Sequence, residues 1–317
     1  MNRFVRQLLP FGTLILILAA LAALKPDTFL TTENFLNVLS RSSVNGIIAM
    51  GMTAVIISGG IDLSVGSMMA LCGMVGALVM LKTGGGAPQA GALWLGTLVG
   101  IGTGLLCGLL NGGLITALNL PPFIVTLGTM SAFRGIANVM NNGMMYDVPT
   151  YKFLGQSTLL GLPVCVLIFA GIVLLAFFLL RYTPPGRYTY AIGSNRQAAF
   201  HAGVNVHRTL LAIYAVTGLF IGIAAMIQTS RTVSAQPTAG ISLELDIIAA
   251  VVIGGASLSG GRGTVVGTII GTLLISFLRN GCTLLGISTN IQLVVIGAII
   301  IGAVALDQMA RAKAEAA

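Results

Sequence analysis

Seven stretches of this chain contain no aspartate, glutamate, lysine or arginine: Gln7–Leu24, Val44–Ile61, Leu63–Leu81, Thr83–Phe133, Phe153–Leu180, Thr209–Ser230 and Asn280–Leu306. Each is long enough to cross a hydrocarbon layer of about 30 Å, which takes about 20 helical residues. Only 8% of the 317 residues are charged and 56% are hydrophobic, whereas a soluble domain carries about 25% charged residues. Such a chain cannot cover itself for water. Its backbone groups must be satisfied within each segment, so the expected fold is an all-α membrane protein.

Apolar runs and their breakers divide the sequence into about ten crossings, near residues 7–24, 44–60, 64–82, 91–118, 122–141, 162–181, 208–229, 246–257, 264–280 and 290–307. Some of these are short or interrupted. With the N-terminus inside, nine of the sixteen Lys and Arg fall on the cytoplasmic side: Arg3, Arg6, Arg181, Arg187, Arg196, Arg208, Arg262, Arg311 and Lys313. That bias follows the positive-inside rule and puts both termini in the cytoplasm. Arg134 and Arg279 are expected at membrane depth. Lys25-Pro26-Asp27 is a poor signal-peptide cleavage site, so the first apolar run is read as a span. Residues 1–317 then form a single transmembrane domain, with residues 182–208 as a cytoplasmic loop within it. The net charge of +8 is not clustered with aromatic residues on a soluble face, which excludes nucleic acid as a partner. Cys72, Cys107, Cys165 and Cys282 lie singly in apolar runs without metal or redox spacing, and read as small buried hydrophobes.

Two places break the apolar pattern with glycine and polar residues, Ser58–Ser67 and Gly254–Thr264. They resemble each other. AVIISGGIDLSVG (Ala54–Gly66) aligns with AVVIGGASLSGG (Ala250–Gly261) after one gap, as an internal duplication or as a coincidence in a chain rich in Gly, Ala and Val. Broken helices are tolerated only against protein or a wet cavity, so such paired segments point to a transport path. Re-entrant hairpins are the alternative. Asp62, the only carboxylate between Glu33 and Asp147, is costly at such depth unless water or a partner meets it. It caps the helix starting near Leu63, shapes the path, or does both.

Two connecting segments carry further signals. Arg231–Asp246 is polar and contains Pro237 and Gly240, so it is expected as a structured turn at the outer surface. In the basic loop, Gly193 and Gly203 bracket Ser194–Ala202, where Ser194 or Asn195 can cap a short helix with a small-residue face at Ala198, Ala199 and Ala202. Such a helix suits docking into a groove of another protein. The other reading is a loop that only sets orientation.

Several motifs resemble the permeases of ribose-type ABC importers. These are Gly60–Ser67 (GIDLSVGS), Pro122–Gly128 (PFIVTLG) followed by Arg134-Gly135, Ala235–Gly240 (AQPTAG) and Glu244–Gly261 (ELDIIAAVVIGGASLSGG). The similarity runs in order from about Asn34 to Asp307. It implies a pore of two such subunits (two copies or a paralogue), two cytoplasmic ATPase subunits carrying ATP and Mg, and an external sugar-binding protein. In a bacterium the pore would lie in the inner membrane. The resemblance also implies that Gly193, Ser194, Asn195, Arg196, Ala198, Ala199, Ala202, Gly203 and Val204 couple to the ATPase. Gln236, Pro237, Thr238 and Glu244 would receive the binding protein. Arg196-Gln197 stands where relatives often have an acidic residue, which leaves the identity of the ATPase open.

No G-x-x-x-x-G-K-[ST] loop occurs to hold ATP phosphates, and Gly260-Gly261-Arg262-Gly263-Thr264 is no substitute. The chain is therefore read as a non-enzymatic subunit with no cofactor of its own, moved by its partners to import a monosaccharide, with ribose favoured over xylose, arabinose or galactose. Asn45, Ser58, Asp62, Ser64, Asn111, Thr126, Asn138 and Gln228 are candidates to line the path, or alternatively to bond between helices. The rival class is an ion-coupled secondary transporter of a small polar solute that uses Asp62 or Asp246. An intramembrane protease with Ser257 as nucleophile and His201 or His207 as base is disfavoured, because both histidines lie in the basic loop.

Overall fold

The computed structural model describes the backbone of residues 3–85 and 89–315 and the side chains of residues 12–85, 89–302 and 305. The elements are α1 (Arg3–Leu24), α2 (Pro26–Phe29), α3 (Thr32–Ile57), α4 (Val65–Gly84), α5 (Ala90–Ala117), α6 (Pro122–Val139), β1 (Tyr146–Asp147), α7 (Phe153–Gln156), β2 (Thr158–Leu159), β3 (Leu162–Pro163), α8 (Val164–Tyr182), α9 (Pro184–Ser194), α10 (Arg196–His201), α11 (Val206–Thr232), β4 (Ser234–Ala235), α12 (Leu243–Ile253), α13 (Val265–Leu284) and α14 (Thr289–Glu315). Two two-residue antiparallel ladders, β1 with β4 and β2 with β3, pin the loops. The side chains of Arg3, Arg6, Arg311 and Lys313, which entered the charge bias, lie outside the described residues, as do residues 1–2 and 316–317 at the termini.

Among the described residues, six helices are long and apolar enough to cross a membrane: α3, α4, α5, α8, α11 and α13. Of the expected ten or so crossings, some of them short or interrupted, these six are the ones of spanning length and apolarity among the described residues. The stretch expected as a span at 246–257 is α12, whose eleven residues extend about 16 Å, half of a hydrocarbon layer. It stops because Gly254-Gly255 caps it. Conversely, α3 begins at Thr32, well before the expected 44. Thr31 caps it by accepting from the Asn34 amide, and Arg41 interrupts the charge-free run without interrupting the helix.

The core is built by close approach of α5 and α11, the most extensively packed pair. A methyl group at Gly104, Gly108 or Gly218 would run into backbone of the facing helix. These glycines let helix axes approach where apolar burial gives no driving force against lipid. All four cysteines are free and buried. By contrast α8 is the least buried of the six apolar helices, so its flank faces outward.

The two ends of the bundle differ in charge. One end, here the basic end, gathers Arg181, Arg187, Arg196, Arg208 and Arg262 around α9, α10 and the 254–264 segment. The opposite end carries the 140–163 loops and the β1–β4 ladder.

Candidate functional site

At the basic end α3 and α12 stop in the same way. Gly59 has φ of +82° and Gly255 of +92°. The Gly60 amide donates to the Val55 carbonyl at 2.9 Å and that of Gly59 to Ile56 at 3.0 Å; the Ala256 amide donates to Val251 at 3.1 Å and that of Gly255 to Val252 at 2.9 Å. Both are Schellman caps, which need a residue without a Cβ penalty in the left-handed region. The caps correspond without a gap, Ser58 to Gly254 and Gly59 to Gly255, whereas the sequence alignment opens its gap at Ser58. Identity between Leu63-Ser64 and Leu258-Ser259 drew the gap there, but Ser64 is the N-cap of α4 while the N-cap of α13 is Thr264.

After the first cap the chain turns back into the bundle. Gly60 sits against the Tyr214 hydroxyl, and Gly66 against Gly240 and the Glu244 carboxylate. Gly73 contacts Thr229 near the far end of α11, so Gly66, two turns earlier, lies about 10 Å deeper. Residues 60–64 therefore enter the bundle without helical hydrogen bonds, and α4, at twenty residues, is by itself long enough to complete a crossing. The Val233–Ser242 segment does the reverse. It pairs with β1 at the far end, then re-enters until Gly240 meets Gly66, and α12 completes the passage. This corrects the reading of Arg231–Asp246 as a turn confined to the outer surface: a glycine at position 240 lets two backbones touch inside the bundle.

Polar side chains hold both non-helical segments. The Asp62 carboxylate accepts from the Ser64 amide at 2.8 Å and the Ser64 hydroxyl at 2.6 Å, and the Asn111 amide group donates to the Ser64 hydroxyl at 2.9 Å. The Thr126 hydroxyl reaches the Ile61 carbonyl at 3.2 Å and the Pro122 carbonyl of its own helix at 2.9 Å. Asp62, Ser64, Asn111 and Thr126 are all at most 1% exposed. Asp62 was expected to cap a helix from Leu63; instead the helix starts at Val65 and Asp62 forms the Asx turn before it. Two buried atoms beside this turn, Asn111 Oδ1 and the Tyr214 hydroxyl, keep unspent hydrogen-bonding capacity; Arg279 Nε is a third among the described residues. For the re-entrant segment, Arg134 donates to the Pro237 and Ala239 carbonyls. Asp246 on α12 pairs with Arg279 on α13 at 2.8 Å.

The remaining path candidates lie elsewhere. Ser58 is buried and donates to Val55 in its own helix, Asn45 and Asn138 are half-buried, and Gln228 lines a cavity of about 90 Å³ with Met69, Thr229, Gln236 and Gly240. Such a volume holds a few waters. Gln236 and Thr238 are exposed, Pro237 is buried and Glu244 half-buried. Sequence reasoning missed the outward face of α6, where Ile124, Leu127, Ser131, Gly135 and Ile136 are exposed beside buried Thr126 and Phe133. The 3.6-residue spacing was the available signal.

The basic hairpin completes the arrangement. Asn195 caps α10 by accepting from the Ala198 amide at 2.9 Å, and Gly203, with φ of +84°, closes it through a third Schellman bond from Val204 to Ala199. Ala199 faces inward, whereas Ser194, Arg196, Ala198 and Ala202 are exposed. Just before α10, the Gly193 backbone presses on the Ile57 carbonyl and on Gly260-Gly261, and the Gly261 amide donates to that same Ile57 carbonyl at 2.8 Å. The short helix is thereby joined to both interrupted crossings. Tyr190 on α9 donates to the Gly263 carbonyl at 2.9 Å; burial pushes its phenol up while nearby Arg181 pulls it down. Ser257 is buried in the 254–264 segment, while His201 and His207 are exposed.

A bundle of apolar helices around two non-helical segments that enter from opposite ends and meet at Gly66 and Gly240 defines a multi-pass membrane protein. Residues 34–304 match the family model described as branched-chain amino acid transport system / permease component, and the chain belongs to that family. It is 45% identical to the ribose import permease of Bacillus subtilis, over 96% of this chain and 93% of the relative. It is 40% identical to the ribose import permease of Escherichia coli K12, over 93% and 91%, and 39% identical to the D-allose transport system permease of the same strain, over 94% and 90%. No solved structure matches the chain.

Proposed function

We propose that this chain is the membrane-spanning subunit of an ATP-driven importer of a monosaccharide, with ribose the first candidate. Relatives named for ribose and allose import at 39–45% identity support the substrate class. In this reading the basic end is cytoplasmic, both termini lie on that side, and the membrane is the bacterial inner membrane. ATP and Mg are held by two ATPase subunits, and hydrolysis occurs there. A second permease subunit completes the pore, and an external sugar-binding protein docks near Gln236, Pro237, Thr238 and Glu244.

The observation that carries the mechanism is the junction of Gly193, Ile57 and Gly261. An ATPase gripping Ser194–Val204 moves α9 and α10 as one piece, and that junction passes the movement to the end of α3 and to the loop before α13. Packed backbone cannot absorb the displacement, so it appears as a rigid-body shift of the interrupted crossings. The sugar then passes along the outward face of α6, with Asn45, Asn138 and Gln228 as further candidates along the path, while Asp62, Ser64, Asn111 and Thr126 hold the broken backbone that the path crosses. Weak, hydroxyl-rich contacts suit release.

Reconstitution of the chain with its ATPase and binding protein, followed by ATP hydrolysis and uptake across a panel of pentoses and hexoses, tests the reading. Ribose-dependent stimulation of hydrolysis together with uptake that persists after ion gradients collapse is expected. Uptake abolished by gradient collapse, in the absence of ATP dependence, would assign the chain to secondary transport instead.

A further inference from the structure

A cavity of about 270 Å³ opens at the basic end between α8, α9 and the start of α13. Its polar wall is Arg181, Arg187 and Tyr190, and its apolar wall is Phe177 and Leu180. Thr264 and Val265 close it with the N-terminus of α13, whose first amides have no acceptor within the helix and whose dipole favours an anion.

Among the described residues no carboxylate lines this cavity. The sequence has no Asp or Glu between Asp147 and Glu244 or between Asp246 and Asp307, and the one salt bridge among the described residues is Arg279 with Asp246. Tyr190 donates to the Gly263 carbonyl, which leaves the two arginines as the donors that face an anion. The surroundings identify its source. The cavity sits at the end of α8, whose Leu174, Phe178 and Tyr182 are 69%, 55% and 64% exposed. Phe177 and Phe178 each pack on Tyr182 with ring centroids 6.0 Å apart, an aromatic cluster of the kind that marks the boundary between hydrocarbon and headgroups. Apolar side chains on one wall and guanidinium groups on the other match a molecule with acyl chains and a phosphate.

We infer that the cavity bounded by Arg181, Arg187 and the start of α13 binds the headgroup of an anionic phospholipid of the leaflet at the basic end. The bound lipid braces α9 against α13, directly before the helix assigned to coupling. The site is independent of which sugar is carried.

Native mass spectrometry of the full chain with its ATPase partners, released from nanodiscs of phosphatidylcholine with or without phosphatidylglycerol, tests the assignment. Wild type retains phosphatidylglycerol selectively. The double variant Arg181→Gln/Arg187→Gln loses that retention by about tenfold, Arg181→Lys/Arg187→Lys keeps most of it, and Arg208→Gln leaves it unchanged. Equal retention in the double Gln variant overturns the site. Displacement of the lipid by inorganic phosphate reassigns it to a free anion. Loss of the ATPase subunits with lipid retention intact reassigns the arginines to a protein contact.

Discussion

The two interruptions begin with the same glycine cap and then diverge. From Gly60 the first enters the bundle as non-helical chain, and its polar groups are met by side chains from two other places, Asn111 on α5 and Thr126 on α6, and by its own Asp62 carboxylate. From Ala256 the second stays at the basic end and closes on itself through a Ser257 amide to Arg262 carbonyl bond at 3.0 Å. Its neighbouring helices touch through glycine, Gly254 on Gly267 and Gly271 on Ala250. The difference is one of available solvent. Extended backbone at membrane depth has no water to bond, so it needs dedicated side chains; the surface turn does not, and needs only a close fit.

That contrast breaks most clearly at Asp62. Asp62→Ala removes the acceptor of two buried donors, and is expected to cost about 3–5 kcal/mol in thermal or denaturant unfolding of the detergent-purified protein. Asp62→Asn keeps an acceptor oxygen and should recover more than half of that loss. In the second interruption Gly267→Val drives methyl groups onto the Gly254 carbonyl, for about 2–3 kcal/mol. An Asp62→Ala variant no less stable than Gly267→Val would erase the distinction.

Gly193→Val tests where the two regions are joined. Its side chain would strike the Ile57 carbonyl and break the Gly261 bond, at about 2 kcal/mol. The larger effect is functional: partner ATPase activity continues while sugar uptake in proteoliposomes falls to background. Uptake at the wild-type rate would remove the junction from the mechanism. Gly203→Ala gives the smallest change. A Cβ there meets open space, so only the left-handed φ is penalised, by about 1 kcal/mol, and uptake is retained; under the proposed coupling, a bulky residue at 203 acts instead by blocking the exposed face assigned to the ATPase.

Much was legible before any coordinates. Apolar runs and their breakers located α4, α5, α8 and α11 within about three residues at each end, because exclusion of charge from lipid is a property of composition. The caps of α10 were legible too, since Asn195 and Gly203 act on their immediate neighbours. Depth was not. Nothing local distinguishes Gly240, which touches Gly66 inside the bundle, from a glycine in a surface turn, and the contacts of Thr126 with Ile61 and of Arg134 with Pro237 join residues 65 and 103 positions apart.

The order of apolar segments, by itself, determined that the chain lives in a membrane, that it is helical, and that two crossings are broken, since each follows from transfer of side chains and peptide groups out of water. Tertiary structure alone decided that a further segment, Val233–Ser242, enters from the opposite end, that it meets the first break where Gly240 touches Gly66, and that Gly193 is seated between the end of α3 and the loop before α13. Those facts depend on backbone approaching backbone, and a glycine in the sequence carries no record of what its missing side chain makes room for.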